Sequence, residues 1–593
     1  MKKILSGNEA VARGAFEAGI KVAAAYPGTP STEILENIAR DFRSIYSEWS
    51  PNEKVAFEVG IGSSLGGVRT LVTMKHVGLN VAADPFMTFA YTGVRGGFVV
   101  VSADDPEMHS SQNEQDNRFY AKFAQIPFLE PSDSQESKDF VVRACEISEQ
   151  FDTPVMLRMT TRISHSKGIV EQCDPIEPPA MEFEHDINKY VMIPFNARKR
   201  HVVVTERLEK LEKFAEETDL NITEDNGSDI GIITGGIAYQ YAKENLPKAD
   251  YLKLGLGFPL PLKKIRKFVK AHKTVLVVEE LEPYYEEIIR AAGIRVQGKK
   301  YFSRLGELSP YKVGLGLKKA GLIDKVKGAQ FDKETLFPRP PILCPGCPHR
   351  GVFMALKKLK VPVTGDIGCY TLSVLPPLEV MDSCICMGAS IGNAIGLEKS
   401  NGTNKGVVAV LGDSTFLHSG ITGLLDAVYN NSNITVMILD NRITAMTGGQ
   451  QNPATGYTLM GEPAREVNFV ELVKALGVEN IVEADPYDYA ATKAAIKEET
   501  EKKGPSVIIT SRPCVLMPKR VIDRPYKVDL ELCNGCSACF RIGCPAIMPA
   551  KEMTKRNRPK AVIDPTLCTG CTLCAQVCQP EAIFPIQEPV AVK

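Results

Sequence analysis

The stretch from residue 406 to residue 441, GVVAVLGDSTFLHSGITGLLDAVYNNSNITVMILDN, decides the fold of its part of the chain. Two runs in it, GVVAVLG and ITVMILD, are apolar throughout, as is typical of strands that helices cover on both faces. The pattern therefore predicts an α/β unit with a parallel sheet. Asp413 and Asn441 directly follow the two runs, which places them at the carboxyl edge of the sheet, where open α/β sheets bind ligands.

The same alternation extends over most of the 593 residues, which are too many for one hydrophobic core. We predict parallel-sheet α/β domains at residues 1–180, 190–330 and 335–515. Their other clear strands are KVAAAY, GGFVVVSADD, DIGIITGG, KTVLVVEEL and PSVIITS. The second domain has no constellation of reactive residues, so we expect it to be a scaffold. Residues 520–593 are rich in Cys, Pro and Gly, which predicts a small domain with an inorganic core.

Composition limits the classes of function. The formal net charge of -1 gives no basic excess for binding nucleic acid or an anionic membrane surface. Gly7, Asn8 and Glu9 interrupt the first apolar stretch before it reaches the length of a signal peptide. No run approaches the roughly 20 apolar residues that span a bilayer. We expect a soluble, cytoplasmic protein whose 16 cysteines are thiols or metal ligands.

Half of the cysteines lie in the C-terminal tail in two runs. The first run is Cys533-x2-Cys536-x2-Cys539-x4-Cys544-Pro, and the second is Cys568-x2-Cys571-x2-Cys574-x3-Cys578. In two-cluster ferredoxins the fourth cysteine of each run binds the other cluster. We therefore predict two [4Fe-4S] clusters, with the ligand sets Cys533, Cys536, Cys539, Cys578 and Cys568, Cys571, Cys574, Cys544. Two zinc sites are the alternative, but zinc does not explain the third cysteine step. The four residues before Cys544, where three are usual, predict a one-residue bulge.

The polar residues after the two central strands have the chemistry of a magnesium site. Mg²⁺ prefers oxygen ligands and often combines one or two protein side chains with phosphate oxygens. Asp413, Asn441 and the backbone carbonyl of Ile443 are the predicted protein ligands. The Gly412-Asp413-Ser414 turn and the later Asn441 resemble the thiamine diphosphate motif, with Ser414 at the usual third glycine. The alternative is a capping Asp and a turn-forming Asn.

Thiamine diphosphate also needs a carboxylate beside its aminopyrimidine ring, in a dry pocket that raises the pKa of that carboxylate. Glu58 in VAFEVGIGSSLGG precedes small residues that permit close backbone approach. Residue chemistry alone does not favour Glu58 over Glu53, and an ordinary surface glutamate is the alternative.

Several short motifs occur in a fixed order along the chain. They are YPGTPS at 26–31, FEVG at 57–60, CPGCPHR at 344–350, GDIGC at 365–369, GDS at 412–414 with DN at 440–441, and the two cysteine runs. Together they resemble the 2-oxo acid:ferredoxin oxidoreductases, and within that family the alpha subunits of the indolepyruvate enzymes. The resemblance covers essentially the whole chain. It implies a pyrimidine-binding domain, a transketolase C-terminal-like domain, a diphosphate-binding domain and a ferredoxin-like tail.

The resemblance also implies roles for individual residues. Glu58 would activate the pyrimidine ring, and the Thr29 hydroxyl would bind the carboxylate of the 2-oxo acid. The implied cofactor contacts are Glu58, Cys347, His349, Gly368, Cys369, Gly412, Asp413, Ser414, Asn441 and Ile443. The CPG turn would pack beside the cofactor without a metal, although the spacing of Cys344 and Cys347 also fits a zinc site. His76 and His109 receive no catalytic role.

The implied activity is the oxidative decarboxylation of indolepyruvate and similar arylpyruvates with coenzyme A, giving arylacetyl-CoA and CO2 while ferredoxin accepts the electrons. The implied cofactors are thiamine diphosphate, Mg²⁺ and two [4Fe-4S] clusters. A smaller beta subunit is expected as partner, in a dimer of alpha-beta pairs. The alternatives are another 2-oxo acid specificity, a non-oxidative thiamine decarboxylase, which leaves the tail cysteines unexplained, and an electron-transfer subunit, which needs no residues before the tail.

Overall fold

The computed structural model describes residues 1–179, 181–326, 337, 339–401, 406–517 and 523–586. The chain divides into two compact units, Met1–Leu336 with Leu459–Gly461 and Phe337–Thr458 with Glu462–Lys593. The predicted 1–180 and 190–330 domains both belong to the first unit, and the tail belongs to the second. The predicted boundaries at 180, 330, 335, 520 and 593 lie outside the described residues.

Strands and helices alternate along the first unit. The strands are β1 (Lys2–Ser6), β2 (Val22–Ala25), β3 (Tyr46–Trp49), β4 (Thr70–Lys75), β5 (Phe98–Asp104), β6 (Phe128–Leu129), β7 (Val155–Thr160), β8 (Lys167–Glu171), β9 (Asn221–Glu224), β10 (Ile230–Thr234), β11 (Asp250–Leu254), β12 (Leu256–Phe258) and β13 (Thr274–Val278). The helices are α1 (Gly7–Glu17), α2 (Thr32–Asp41), α3 (Glu53–Leu65), α4 (His76–Val81), α5 (Ala83–Thr92), α6 (Arg118–Ala124), α7 (Ser134–Phe151), α8 (Thr161–His165), α9 (Ile187–Tyr190), α10 (Pro194–Glu217), α11 (Gly236–Asn245), α12 (Leu262–Ala271), α13 (Tyr284–Ala291) and α14 (Pro310–Lys319).

Two sheets organise the first unit. The larger has the order β12-β6-β7-β5-β4-β2-β3 and is parallel except for β12, which pairs antiparallel with β6. The smaller has the order β13-β10-β11-β9, with β9 antiparallel. Because β12 lies in the predicted second domain but pairs with a strand of the first, the two predicted domains form one compact unit.

Buried ion pairs reinforce this unit. The Arg118 guanidinium in α6 donates to Glu279, which follows β13, at 2.8 Å. On β7, Arg158 donates to Asp104 at the end of β5 at 2.9 Å. All four side chains are almost fully buried. Because a buried charge is costly unless it is paired, these contacts favour this one arrangement of the sheets.

The second unit contains a six-stranded sheet and the cysteine-rich tail. Its strands are β14 (Val363–Gly365), β15 (Ser383–Cys384), β16 (Val407–Gly412), β17 (Ile434–Asp440), β18 (Asn480–Ala484), β19 (Ser506–Ser511), β20 (Tyr526–Val528), β21 (Ile547–Met553), β22 (Pro559–Ile563) and β23 (Ile583–Pro585). Its helices are α15 (His349–Leu359), α16 (Ala389–Asn401), α17 (Asp413–Thr415), α18 (Ile421–Tyr429), α19 (Phe469–Ala475), α20 (Tyr489–Glu501) and α21 (Leu573–Gln576).

The large sheet of the second unit is parallel throughout, in the order β15-β14-β16-β17-β19-β18. The tail has two antiparallel pairs, β20 with β23 and β21 with β22. The predicted fold class, parallel-sheet α/β domains followed by a small ferredoxin-like domain, is confirmed. None of the helices in the described residues is long and apolar enough to cross a membrane.

Helix α3, which carries Glu58, packs closely on the large sheet of the first unit at Gly60. A methyl group added there would lie 2.5 Å from Val72 Cγ2 and 2.8 Å from Phe98 Cε2, while one added at Gly62 would meet nothing within 4 Å. We predict that Gly60→Ala destabilises the unit by about 1–3 kcal/mol through overpacking. Gly62→Ala is the matched control and should be neutral or stabilising by up to about 1 kcal/mol. Thermal unfolding of both variants measures this, and equal transition midpoints would contradict the close packing.

Candidate functional site

The polar residues after β16 and β17 meet at one edge of the second unit's sheet. Gly412 at the end of β16 is in register with Leu439 on β17, so Asp413 lies beside Asp440 and Asn441. All three polar side chains are buried. The predicted meeting of Asp413 and Asn441 at the carboxyl edge is therefore what the structure shows.

Asp413 is a buried carboxylate that lacks a compensating cation in the described part of the chain. Its Oδ2 atom accepts a hydrogen bond from Asn452 Nδ2 at 3.1 Å. Burial, together with the negative charge of Asp440, raises the pKa of Asp413 to about 7. Asp440 differs, because Arg442 Nε lies 3.0 Å from its Oδ2 atom. A cation at Asp413 would remove this electrostatic cost.

Hydroxyl and amide groups surround this carboxylate. Thr444 donates through Oγ1 to Ser414 Oγ at 2.9 Å, and Asn452 Nδ2 lies 3.4 Å from Thr444 Oγ1. Asn441 Oδ1 accepts from the Ile443 N–H at 3.2 Å. The group therefore offers neutral oxygen atoms next to the Asp413 carboxylate, which is the ligand chemistry of Mg²⁺.

His349 and two glycines complete the surroundings of this edge. Asn441 Nδ2 lies 3.4 Å from His349 Nε2, and burial lowers the pKa of His349 to about 4. The ring of Tyr370 lies against both Gly368 and Gly412, where an added methyl group would be 2.3 Å and 3.0 Å from Tyr370 Cε1. The backbone at both glycines is therefore held close to this ring. These residues fit a diphosphate and its magnesium ion.

Glu58 lies in the first unit, and its environment differs from the dry pocket that was expected. Its side chain is 44% exposed and pairs with Lys54, one helical turn away on α3. The expected dry pocket is not formed around it within this unit, because Glu58 is on the solvent-facing side of the helix. Glu53 is instead buried, against Gly78. Within the first unit, Glu58 is therefore accessible to water.

Thr29 is half-buried, and its carbonyl oxygen lies 3.4 Å from Ser110 Oγ. Lys75, at the end of β4, packs against Gly28 and donates through Nζ to the Ser110 carbonyl at 2.6 Å. Burial lowers the pKa of Lys75 to about 8, and Asp105 partly opposes this shift. A titratable cation therefore lies close to the YPGTPS motif.

The two histidines without an assigned role differ in burial. His76 is fully buried with Nε2 3.2 Å from the Asn113 carbonyl, and burial lowers its pKa to about 4. His109 is partly exposed, and its Nε2 atom lies 3.3 Å from Glu307 Oε2. Both side chains thus have partners within the first unit.

The tail cysteines line two cavities. The cysteines around the first are Cys533, Cys536, Cys539 and Cys578. Those around the second are Cys544, Cys568, Cys571 and Cys574. Each cavity thus combines three cysteines of one run with the last cysteine of the other run, the arrangement that cross-ligation requires.

Four other cysteines of the second unit, Cys344, Cys347, Cys369 and Cys514, influence one another electrostatically. Burial raises the pKa of Cys347, Cys369 and Cys514, and the negative charge of a Cys344 thiolate would raise it further in each. In the described residues, no group of three or more His, Cys, Asp or Glu is placed to hold a single metal ion. The zinc alternative therefore gains no support. A [4Fe-4S] cluster contains four irons and is held by four thiolates, so its ligands lie farther apart than those of a single metal ion.

Sequence reasoning missed several members of these groups. Asn452 lies beyond the glycine pair Gly448-Gly449, whose positive φ angles of 123° and 94° turn the chain back toward Asp413. Cys514 follows β19, the neighbour of β17, and its N–H donates to the Asn441 carbonyl at 3.0 Å. Asn452 and Cys514 each follow a strand or a tight turn near the motif, and this position is the sequence signal that could have identified them. Lys75 carried the same signal at the end of β4.

Three parts of the chain match known protein families. Residues 13–222 match the family described as pyruvate flavodoxin/ferredoxin oxidoreductase, thiamine diP-bdg. Residues 366–510 match the thiamine pyrophosphate enzyme, C-terminal TPP binding domain. Residues 561–584 match the 4Fe-4S binding domain. Thiamine diphosphate and [4Fe-4S] clusters are therefore cofactors of this protein.

Similar proteins cover nearly the full chain. The indolepyruvate oxidoreductase subunit IorA of Archaeoglobus fulgidus is 42% identical over 98% of this chain and 97% of that protein. The subunit of the same name from Pyrococcus abyssi is 42% identical over 99% of this chain and 97% of that protein. The 2-oxoglutarate synthase subunit KorA of Methanothermobacter marburgensis is 26% identical over 49% of this chain and 90% of that protein. The chain belongs to the IorA family of indolepyruvate oxidoreductase subunits, which are thiamine diphosphate-dependent 2-oxo acid:ferredoxin oxidoreductases.

Proposed function

We propose that this ferredoxin-dependent 2-oxo acid oxidoreductase acts on arylpyruvates, including indolepyruvate, and uses coenzyme A to release arylacetyl-CoA and CO2. The observation that carries the proposal is that one chain combines a thiamine-type strand edge at Asp413 and Asn441 with two four-cysteine cavities. The names of the relatives support indolepyruvate as substrate. A non-oxidative decarboxylase needs no such cavities, and an electron-transfer subunit needs no such strand edge.

Each of the proposed site residues has a role that fits its chemistry. Asp413, Asn441 and the Ile443 carbonyl would hold Mg²⁺ on the diphosphate. Bound thiamine diphosphate supplies the reactive carbon that the 2-oxo acid joins and an acceptor for the electrons released with CO2. Glu58 moves a proton at the aminopyrimidine ring, and Thr29 donates a hydrogen bond to the substrate carboxylate.

The exposure of Glu58 supports association with another chain. A carboxylate in this role works best in a dry environment, which the first unit does not provide around it. We therefore propose self-association of this chain, in pairs with a smaller beta subunit, and a cytoplasmic location. The relatives are named as subunits, which supports a multi-chain enzyme.

An anaerobic assay of ferredoxin reduction tests the proposed substrate. The complete complex is supplied with coenzyme A and a panel of indolepyruvate, phenylpyruvate, pyruvate and 2-oxoglutarate. The proposal expects the highest kcat/KM for the arylpyruvates and dependence on coenzyme A. A preference for pyruvate or 2-oxoglutarate would transfer the assignment to another 2-oxo acid. This chain assayed alone should lack the full rate, whereas full activity would remove the need for a beta subunit.

Asp413→Asn should abolish binding of thiamine diphosphate and Mg²⁺ while iron content stays intact, because the cysteine cavities lie elsewhere in the unit. The matched control is Asp426→Asn, an exposed carboxylate on α18. Added cofactor and Mg²⁺ should raise the melting temperature of the wild type and the control, since a ligand stabilises the state that binds it. A normal cofactor-induced shift in Asp413→Asn would contradict the site.

Glu58→Gln should keep cofactor affinity and lose about 10²-fold or more in kcat, because it removes only the proton transfer. Glu53→Gln is the informative comparison. It should lower stability with little direct effect on kcat, because Glu53 is buried against Gly78. The measurements are cofactor titration and steady-state kinetics of the assembled complex. Full activity of Glu58→Gln would show that another carboxylate performs this step.

We further propose cross-ligation of the tail clusters. Cys578→Ser should perturb the cluster at Cys533, Cys536 and Cys539, and Cys544→Ser should perturb the other one. Electron paramagnetic resonance of the two reduced variants distinguishes the signals. If each substitution instead disturbs the cluster of its own run, the ligand sets are those of separate runs.

We also propose that the group of Cys344, Cys347, Cys369 and Cys514 holds a further [4Fe-4S] cluster, in place of the metal-free turn that the resemblance implied. Anaerobically purified protein should then contain about 12 iron atoms per chain rather than about 8. Cys369→Ser should lower this number by about 4 and leave the tail signals unchanged. An unchanged iron content in Cys369→Ser would restrict the clusters to the tail.

A further inference from the structure

Arg350 is a buried cation without a carboxylate partner in the described part of the chain. The residue is 2% exposed and stands at the start of α15. Within the described residues, its side-chain hydrogen bonds all go to backbone carbonyls, those of Leu343, Cys344, Ile542 and Gly543. Carbonyl dipoles satisfy the N–H groups but do not neutralise the charge. A buried charge normally has a charged partner, so the missing countercharge needs an explanation.

The cavity beside Arg350 supplies one. Arg350 lines the same cavity as Cys544, Cys568, Cys571 and Cys574. A [4Fe-4S] cluster with four thiolate ligands carries net negative charge, and reduction adds one more electron to it. Arg350 does not line the other cavity, which is surrounded by Cys533, Cys536, Cys539 and Cys578.

The same arginine explains the unusual spacing before Cys544. Its Nη1 atom donates to the Ile542 carbonyl at 2.9 Å and to the Gly543 carbonyl at 2.7 Å. Gly543 has a φ of 70°, which favours glycine. A methyl group there would lie 2.8 Å from Pro377 Cδ. The extra residue of the run thus forms the turn that presents two carbonyls to Arg350.

Other close contacts surround this arginine within the second unit. A methyl group on Gly346 would lie 1.8 Å from Thr569 Oγ1, next to Cys568. One on Gly351 would lie 1.9 Å from the Pro486 carbonyl and 3.3 Å from Leu573 Cδ2. The segment 343–351 therefore packs directly on the cluster-binding tail, while its His349 contacts Asn441.

We propose that Arg350 is the countercation and positioning residue of the cluster held by Cys544, Cys568, Cys571 and Cys574, and that the four-residue spacing before Cys544 exists to dock this loop on Arg350. The inference rests on the proposed function only in requiring that these cysteines hold a cluster. A positive charge beside the cluster stabilises its reduced form, so Arg350 raises the reduction potential. It also fixes Cys544 relative to the strand edge that binds the diphosphate.

The test is a redox titration of the purified complex followed by electron paramagnetic resonance, which reads the clusters without turnover. Arg350→Met should make reduction of the Cys544 cluster at least tenfold less favourable, a shift of about 59 mV to lower potential for one electron. The Cys533 cluster is an internal control and should not shift. Arg541→Met is the matched control, because it removes an exposed cation from the same loop. Arg350→Lys keeps the charge and should retain most of the potential.

The possible results distinguish a failure of the inference about Arg350 from a failure of the proposed function. Loss of the Cys544 cluster alone in Arg350→Met, with both tail clusters retained in Arg350→Lys, also supports a countercation. An unchanged potential in an Arg350→Met protein with both tail clusters overturns the inference and leaves the proposed function intact. Absence of tail iron in the wild type would overturn the proposed function itself.

Discussion

The burial of Asp413 beside Asp440 is the constraint on which the second unit depends. Two adjacent apolar strands end side by side, and their next residues place two carboxylates at one dry edge. Arg442 compensates Asp440, whereas Asp413 has a pKa raised to about 7 by burial and by its neighbour. A bound divalent cation would relieve this repulsion. We therefore propose that this edge is a preformed cation and diphosphate site, at which the bound cation would relieve the cost of the buried charge.

A second constraint connects this edge to the tail. The segment 343–351 contacts Asn441 through His349 and the tail loop through Arg350, two consecutive residues at the start of α15. Because consecutive helical residues point in different directions, one short helix start can contact both sites. This arrangement keeps the proposed electron donor and acceptor at a fixed separation within one compact unit. In the proposed assembly the first unit contributes Glu58 and Thr29, and association with another chain would complete their environment.

The sequence predicted the features that depend on residues close to one another along the chain. The strands, the positions of Asp413 and Asn441, and the ferredoxin-like runs follow from apolar runs and short spacings, and the structure brings Asp413 and Asn441 together. The sequence left open whether Glu58 lies in a dry pocket or on the surface, because motif position does not show which face of α3 is covered. The contact of Arg350 with Ile542 joins residues 192 positions apart, and no local pattern encodes it. The union of the first two predicted domains likewise depends on long-range contacts, which include the pairing of β12 with β6 and the ion pair of Arg118 with Glu279.

The central claim is that one chain couples chemistry at the Asp413 edge to the tail clusters. The most direct measurement is cluster reduction within the complex after rapid mixing with indolepyruvate and coenzyme A, without ferredoxin, followed by freeze-quench electron paramagnetic resonance. The account predicts that reduced tail clusters appear in the wild type and are absent in Asp413→Asn, although dithionite reduces the clusters of both proteins. Substrate-dependent cluster reduction in Asp413→Asn, or none in the cofactor-loaded wild type, would contradict it.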